Sequence, residues 1–387
     1  MRWRDVYGCC RAWLTRLTLA LAGALITVAV VEVAVRLFMP TNLDFYNWQK
    51  VKRVSDQPGH PFEFIPGSRN DFYVGVPVEI NSFGLRDVEV QIPKPAGTVR
   101  ILVIGDSITF GYGVRLEETY LKVLESDLNA GTSPARYQVV NGGMDGTGLD
   151  RHYRFLQSSA PSLDPDLVIV ALALNDIADY RSRDRVPETR EFSERGLVRR
   201  LNTFLLFHSQ SYLASYLNLK SILYRYGVLD FNQEHWYEVD ILKPPSDEVK
   251  EAWISTREVL SNIVALARDR GYPLVFVVFP MEVQLDQSSL ERYRHELRLE
   301  ITEEALRGDP QQEFLRFGTS AGVPVLDLLP AFRAASPSEL FLRGHSMSSD
   351  PVHPSAVGHR VAGHALFRSL KEEPSFARIW SPQRGQE

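Results

Sequence analysis

Cysteine is almost missing from this chain. Of 387 residues only two are cysteines, the adjacent pair Cys9 and Cys10. Neighbouring cysteines seldom satisfy disulfide geometry, so no structural disulfide is expected. Beyond residue 10 there is no thiol, which excludes a cysteine nucleophile and a zinc–thiolate site from the rest of the chain. A basic surplus is lacking too. The formal net charge is −5 and the pI is near 6.0, unlike the basic balance of a nucleic-acid-binding domain. Internal repeats and low-complexity tracts are absent. What remains is an ordinary globular composition, 44% hydrophobic and 24% charged, in a chain long enough to bury a sizeable core without metals or disulfides.

One apolar run stands out. Leu17–Val35 reads LTLALAGALITVAVVEVAV. At about 1.5 Å per residue it would extend roughly 28 Å as a helix, close to the hydrocarbon thickness of a bilayer. Arg2, Arg4, Arg11 and Arg16 precede it against the single Asp5. The positive-inside rule then puts residues 1–16 in the cytoplasm and everything after the span outside it, in the periplasm if the cell is Gram-negative. Glu32 interrupts the run, four residues before Arg36, at a spacing that lets the two pair on one helix face. A cleaved signal peptide is the rival reading. It would have a shorter apolar region, and no convincing small-x-small site follows Val35. A lipoprotein is disfavoured because both cysteines precede the run.

Residues 36–98 are rich in Pro, Gly and Asn and read as a linker and N-terminal extension, with a strand expected at Phe72–Ile80. From Val99 the pattern changes. Near-continuous apolar strands are expected at 99–105, 137–143, 166–173, 273–280 and 323–329, the kind buried on both faces of a parallel sheet. Helices are expected between them at Leu116–Asn129, Leu149–Ala160 and Glu248–Arg270. A closing helix is expected at His353–Lys371, with Pro354 in its first turn. This alternation predicts an α/β fold: a flavodoxin-like doubly wound parallel sheet spanning residues 99–374. An insertion at about 178–247 contains the aromatic-rich, amphipathic stretch Leu197–Gly227, expected to be helical. It would either pack on the core or serve as a lid or membrane contact. Residues 375–387 form a tail.

Four short motifs carry chemistry. IGDSITFG (104–111) follows the first strand and puts Ser107 at a strand-to-helix turn on the carboxyl edge of the sheet, where open α/β sheets bind ligands. VVNGGMDGTG (139–148) follows the second strand, and Gly146 could offer a backbone N–H to a ligand approaching closely. VALALNDI (170–177) ends the third strand with Asn175, whose amide could face a developing oxyanion. DPVHPSAVGH (350–359) puts Asp350 three residues before His353, within reach of the imidazole. The carboxylate can then fix the ring's tautomer and leave the other nitrogen to take a serine proton. Each motif alone has a plain alternative, as a helix cap, a flexible turn or an Asx turn. Their joint occurrence, in this order and at these strand ends, is harder to explain that way.

In these four blocks the chain resembles the SGNH/GDSL hydrolase family over roughly residues 99–372. INSFGLRD (80–87) is similar to the extension of its membrane-anchored bacterial members. The resemblance implies Ser107 as nucleophile, His353 as general base and Asp350 as its orienting acid. It also implies an oxyanion hole made of Gly146, Asn175 and the Ser107 backbone N–H. One position departs: the third block usually has Gly two residues before the Asn, and here it is Ala173.

Two other patterns compete. GHSMS (344–348) nearly matches a G-x-S-x-G elbow but lacks the last Gly and a strand–helix setting. His345, His353, His359 and His364 suggest a metal cluster, but no carboxylate or thiolate pattern completes one. No metal and no cofactor are therefore expected. The function expected is that of an extracytoplasmic serine esterase acting through an acyl-serine on carboxylic esters, O-acetyl esters included, of envelope glycans or lipids. The membrane would be reached through the N-terminal helix, and no nucleic acid is a partner. An O-acyltransferase with the same triad, or a non-catalytic glycan-binding envelope protein, are the alternatives.

Overall fold

The computed structural model describes residues 3–38, 43–45, 47–55, 62–131, 135–177, 197–228, 240–296, 298–336, 339–343 and 350–380. Five strands make the central sheet: β5 (Thr98–Gly105), β6 (Arg136–Gly143), β7 (Leu167–Leu172), β8 (Leu274–Val278) and β9 (Val325–Asp327). Their spatial order is β6-β5-β7-β8-β9, with every pair parallel. Taken in chain order from β5, that is the flavodoxin-like 2-1-3-4-5 arrangement, with its switch point between β5 and β7. β5 and β7 are buried almost throughout, because both faces of the sheet are covered.

One face carries Leu102, Ile104, Val168, Val170, Phe276 and Val278. They pack on α4 (Leu149–Ser158), α5 (Ala160–Leu163), α8 (Asp247–Asp269), α9 (Gln287–Glu296) and α10 (Asp309–Ala321). The other face carries Ile101, Val103, Val139, Ile169, Val275 and Val277. It meets α3 (Tyr120–Asn129), α11 (Leu329–Ala334), α12 (Ala356–Glu372) and α13 (Ala377–Trp380). The two faces alternate along each strand, as the two-residue period of a strand requires.

Three expected elements end elsewhere. The strand at Phe72–Ile80 is instead a hairpin of β3 (Arg69–Tyr73) and β4 (Val76–Glu79). Val74 and Gly75 both take positive φ, 48° and 88°, as the tight turns matched to strand twist demand. The helix at Leu116–Asn129 is split: a 3-10 turn at Leu116–Glu118 stops at Thr119, which is extended, and α3 starts afterwards. The last helix begins at Ala356, not at His353, because Ser355 caps it by accepting from Val357 N and Gly358 N. Pro354 lies outside that helix and bridges Phe341.

Before the sheet come α1 (Trp3–Phe38) and a second small hairpin of β1 (Lys52–Val54) and β2 (Phe62–Phe64). Within α1, Trp13–Phe38 is long and apolar enough to cross a membrane, with mean hydropathy 2.3 and none of its most apolar window buried. The inserted stretch forms two helices, α6 (Leu197–His208) and α7 (Gln210–Arg225). The remainder of the 178–247 insertion, at 178–196 and 229–239, lies outside the described residues, as do 381–387 of the tail and Ser346 and His345.

Candidate active site

β5 ends at Gly105, and Asp106 caps the single helical turn α2 (Ser107–Phe110) by accepting from Ile108 N. Gly111 closes that turn at φ 86°, a conformation glycine adopts without strain. The chain then turns back, with Tyr112 N donating to Ser107 O at 3.0 Å. β6 comes close enough that a Cβ on Gly143 would collide with the backbone of Thr109 and Phe110. Ser107 thus begins a helix at the carboxyl edge of the sheet, beside the switch point.

Opposite it stands the Asp350–His353 segment. His353 Nε2 lies 2.8 Å from Ser107 Oγ, and His353 Nδ1 lies 2.7 Å from Asp350 Oδ2. The other oxygen of Asp350 accepts from Val352 N at 2.9 Å and His353 N at 3.0 Å. Burial pushes the Asp350 carboxyl up, but the His353 imidazole and these N–H donors prevail and hold it below the ordinary range. The segment is pinned to Leu342, which donates to His353 O and accepts from Asp350 N. Glu282 N donates to Pro351 O, and the fully buried Glu282 carboxylate pairs with Arg292 and Arg343. The Tyr112 ring stacks on the imidazole, 4.3 Å between centroids and 24° between planes.

Asn175 follows β7 and donates from Nδ2 to Asp106 Oδ2 at 3.1 Å. A carboxylate only accepts, so Asp106 fixes which way the Asn175 amide points. Burial raises the Asp106 carboxyl above its ordinary value, with Asn175 and Ile108 N–H pulling against it. Asp106 is therefore a positioning residue that the sequence reading passed over. Its signal was there, as an acid directly after the buried apolar run 101–105. Ala173, at the departing position, is buried and donates its N–H to Asp176 at 2.9 Å. An apolar notch beside Asn175 is lined by Ile108, Leu174, Phe279, Met281 and Val352.

Gly146 sits in the turn after β6 at φ 73°. The residue before it, Asp145, is buried and paired with Lys52 of β1. Tyr73 of β3 donates its hydroxyl to Asp145 at 2.7 Å, and Lys52 also lies over the Phe62, Phe64 and Tyr73 rings at 5.6–5.9 Å. Arg86, 1% exposed, donates to the carbonyls of Phe110, Gly111 and Val114, the loop on both sides of Tyr112. Burial lowers its pKa to about 10, so it stays charged at neutral pH. The INSFGLRD stretch is built around this residue. Asn81 Oδ1 accepts from Phe83 N and Leu85 N. Asp87 accepts from Asn141 N in β6.

His359 and His364 each have a partner of their own. His359 is fully buried and accepts from Tyr120 N, while burial takes its pKa down to about 3. His364 is exposed and pairs with Asp127 at 2.6 Å.

A family model described as the GDSL-like lipase/acylhydrolase family matches residues 103–361. The chain belongs to that family. It is accordingly an ester-hydrolysing serine hydrolase with the SGNH α/β fold. Among solved structures it is similar to an alpha/beta hydrolase enzyme from the metagenome of Lake Arreo, Spain. The identity is 17% and the TM-score 0.40, covering 70% of this chain and 94% of that one. It is similar to a catalytic mutant of an acetylxylan esterase from Geobacillus stearothermophilus, at 15% identity and TM-score 0.39, covering 70% and 93%. It is also similar to a lipase/acylhydrolase from Enterococcus faecalis, at 16% identity and TM-score 0.38, covering 71% and 96%. No curated protein matches the chain.

Proposed function

We propose that the protein is a membrane-anchored, extracytoplasmic esterase in which Ser107 is the nucleophile, His353 the general base and Asp350 its orienting acid. The observation that carries this is the unbroken line from Ser107 Oγ through His353 Nε2 and Nδ1 to Asp350 Oδ2, with contacts of 2.8 and 2.7 Å. Asp350 holds the Nδ1 proton, so Nε2 is free to accept from Ser107 as its oxygen attacks an ester carbonyl. The Ser107 N–H opens a helix, where no intrahelical acceptor exists. With Gly146 N–H and the Asn175 amide it stabilises the oxyanion. His353 then protonates the leaving alcohol, and water releases the acid from the acyl-serine.

The catalytic domain is assigned to residues 99–374, with residues 36–98 as an extension packed on it. The arginines before Leu17 favour a cytoplasmic N-terminus, so ester-bearing envelope glycans or lipids are the proposed substrates. The confined apolar notch beside Asn175 favours a short acyl group such as acetyl. The test is a fluorophosphonate probe and acetyl and longer-chain aryl esters offered to the full chain. Labelling and acetyl-ester turnover should both vanish in Ser107→Ala while the fold persists. Labelling or near-normal turnover in that variant would remove Ser107 from its role, and preference for long chains would remove the short-acyl reading.

A further inference from the structure

The apolar stretch Leu17–Val35 contains one charged residue, Glu32. A carboxylate at that depth needs partners, and only some come from its own helix. Glu32 Oε1 accepts from Arg36 Nε at 2.8 Å and from Gln210 N at 2.9 Å. Glu32 Oε2 accepts from Ser209 Oγ at 2.8 Å, Ser211 N at 3.0 Å and Ser211 Oγ at 2.6 Å. Arg36 in turn donates to His208 O at 3.2 Å. The turn joining α6 to α7 is therefore closed around Glu32. Six residues separate Glu32 from Phe38, about 9 Å along a helix, so this turn sits at the outer end of the apolar stretch.

The two helices are tied to each other by Tyr212 OH donating to Asn202 Oδ1 at 2.6 Å, and Leu213 is buried. Among the described residues, each helix also carries an exposed apolar stripe. Leu197, Leu201 and Phe204 on α6 are exposed at 84, 54 and 56%. Tyr216, Leu219, Ile222 and Tyr226, on and just after α7, are exposed too. Spacings of three and four residues put each set on one side of its helix. The charge is equally one-sided. From Leu197 to Val228 the chain has Arg199, Arg200, Lys220 and Arg225 and no Asp or Glu, although the whole chain carries −5. Exposed aliphatic and aromatic stripes with basic charge alone are the composition of helices that lie in the headgroup zone of anionic bilayers.

We propose that α6 and α7 form a second, non-spanning membrane element. It is clamped to the span at Glu32, its apolar stripes face the acyl chains, and its positive charge draws it to anionic phospholipid headgroups. This rests on α1 being a membrane span. The hairpin belongs to the chain between β7 and β8, and Leu43–Phe45 packs both on α6 and on β3. The extension that braces Gly146 and the hairpin are thus in contact through one short turn, and the catalytic domain is held against the bilayer instead of swinging on a free linker.

The test uses the full chain with Cys9→Ser and Cys10→Ser, reconstituted in phosphatidylcholine vesicles with and without one-third phosphatidylglycerol. A polarity-sensitive fluorophore is placed at Phe204→Cys, Leu219→Cys, Leu25→Cys in mid-span or Ile254→Cys on the exposed face of α8. The two hairpin probes should shift to the blue and be quenched severalfold by spin-labelled lipid, as at Leu25, more strongly with phosphatidylglycerol. The Ile254 probe should stay in water. Hairpin probes in water while Leu25 is quenched would overturn the proposal and leave the span intact. A Leu25 probe that lipid does not quench would remove the span reading and the proposal with it. Hairpin probes shielded from water but untouched by spin-labelled lipid would mean a protein covers the stripes, which also overturns it. Equal quenching in the two vesicles would remove the part played by anionic headgroups.

Discussion

Around His353 the bracing comes from inside residues 103–361: Leu342 on the backbone, buried Glu282 with its arginines, and the Tyr112 ring. Around Ser107 and Gly146 much of it comes from outside those residues. Arg86 holds the loop after α2, and Lys52 and Tyr73 hold Asp145. The family match does not reach any of these three. The side that holds the proposed general base is therefore self-sufficient, whereas the side that holds the proposed nucleophile and oxyanion donors borrows rigidity from the extension. That side uses buried charges to do so. Removing one partner of such a pair costs far more than an exposed pair would, because the other is left uncompensated. The extension is thereby a component of the site's architecture, and substitutions can test each side separately.

The largest effect is expected on the self-sufficient side. In Asp350→Asn an amide N–H would meet His353 Nδ1, forcing the ring proton onto Nε2, where it faces Ser107. Turnover should fall by about 10³ to 10⁴-fold with little change in KM. Stability should respond to pH in a defined direction. The folded carboxyl lies below its ordinary 3.8, so its contribution is complete above that value and is lost as pH falls through the lower folded value. The Tm gap between wild type and variant should stay level from neutral pH down to about 5 and close below about 4. A gap that widens on acidification would reverse the assignment of the Asp350–His353 interaction.

A smaller loss is expected at the oxyanion side. Asn175→Ala removes one donor, for a drop of about 10² to 10³ in kcat. Asp106→Asn should reproduce part of it with Asn175 still present. The new amide has a donor where the carboxylate had an acceptor, and it can turn the Asn175 nitrogen away. Full activity in Asp106→Asn would show that Asn175 needs no such orientation. Raised KM at normal kcat in Asn175→Ala would make it a substrate-binding residue instead.

The parallel sheet and the four site blocks were legible because their signals are local. An apolar run such as Leu167–Leu172 buries both faces, and Ser107, Gly146, Asn175 and Asp350–His353 each lie within a few residues of a strand end or of α12. The Glu32–Arg36 pair was legible for the same reason, its spacing being one helical turn. What stayed hidden depends on pairings across long separations. Lys52 meets Asp145 and Arg86 meets Val114, and nothing in either local pattern encodes the partner. The start of α12 was misjudged because Pro354 suits a first helical turn. Ser355 caps the helix better, leaving Pro354 to bridge Phe341.

The smallest effect, and the sharpest for the borrowed side, is expected from Tyr73→Phe. The ring keeps its contact with Phe110, 6.2 Å between centroids, and loses only the hydroxyl that donates to Asp145. A hydrogen bond to a charged acceptor contributes about 1.5 to 3 kcal/mol, so Tm should fall modestly. If the bond also steadies Gly146, kcat should fall severalfold with KM unchanged, because an oxyanion donor acts on the transition state and not on ground-state binding. Arg53→Ala is the matched control, since the Arg53–Glu63 pair joins β1 to β2 in the same extension, at an exposed site where such pairs contribute little. A Tyr73→Phe variant that loses stability but keeps wild-type kcat would make the extension a packing element only. The two sides of the site would then no longer differ in the way proposed.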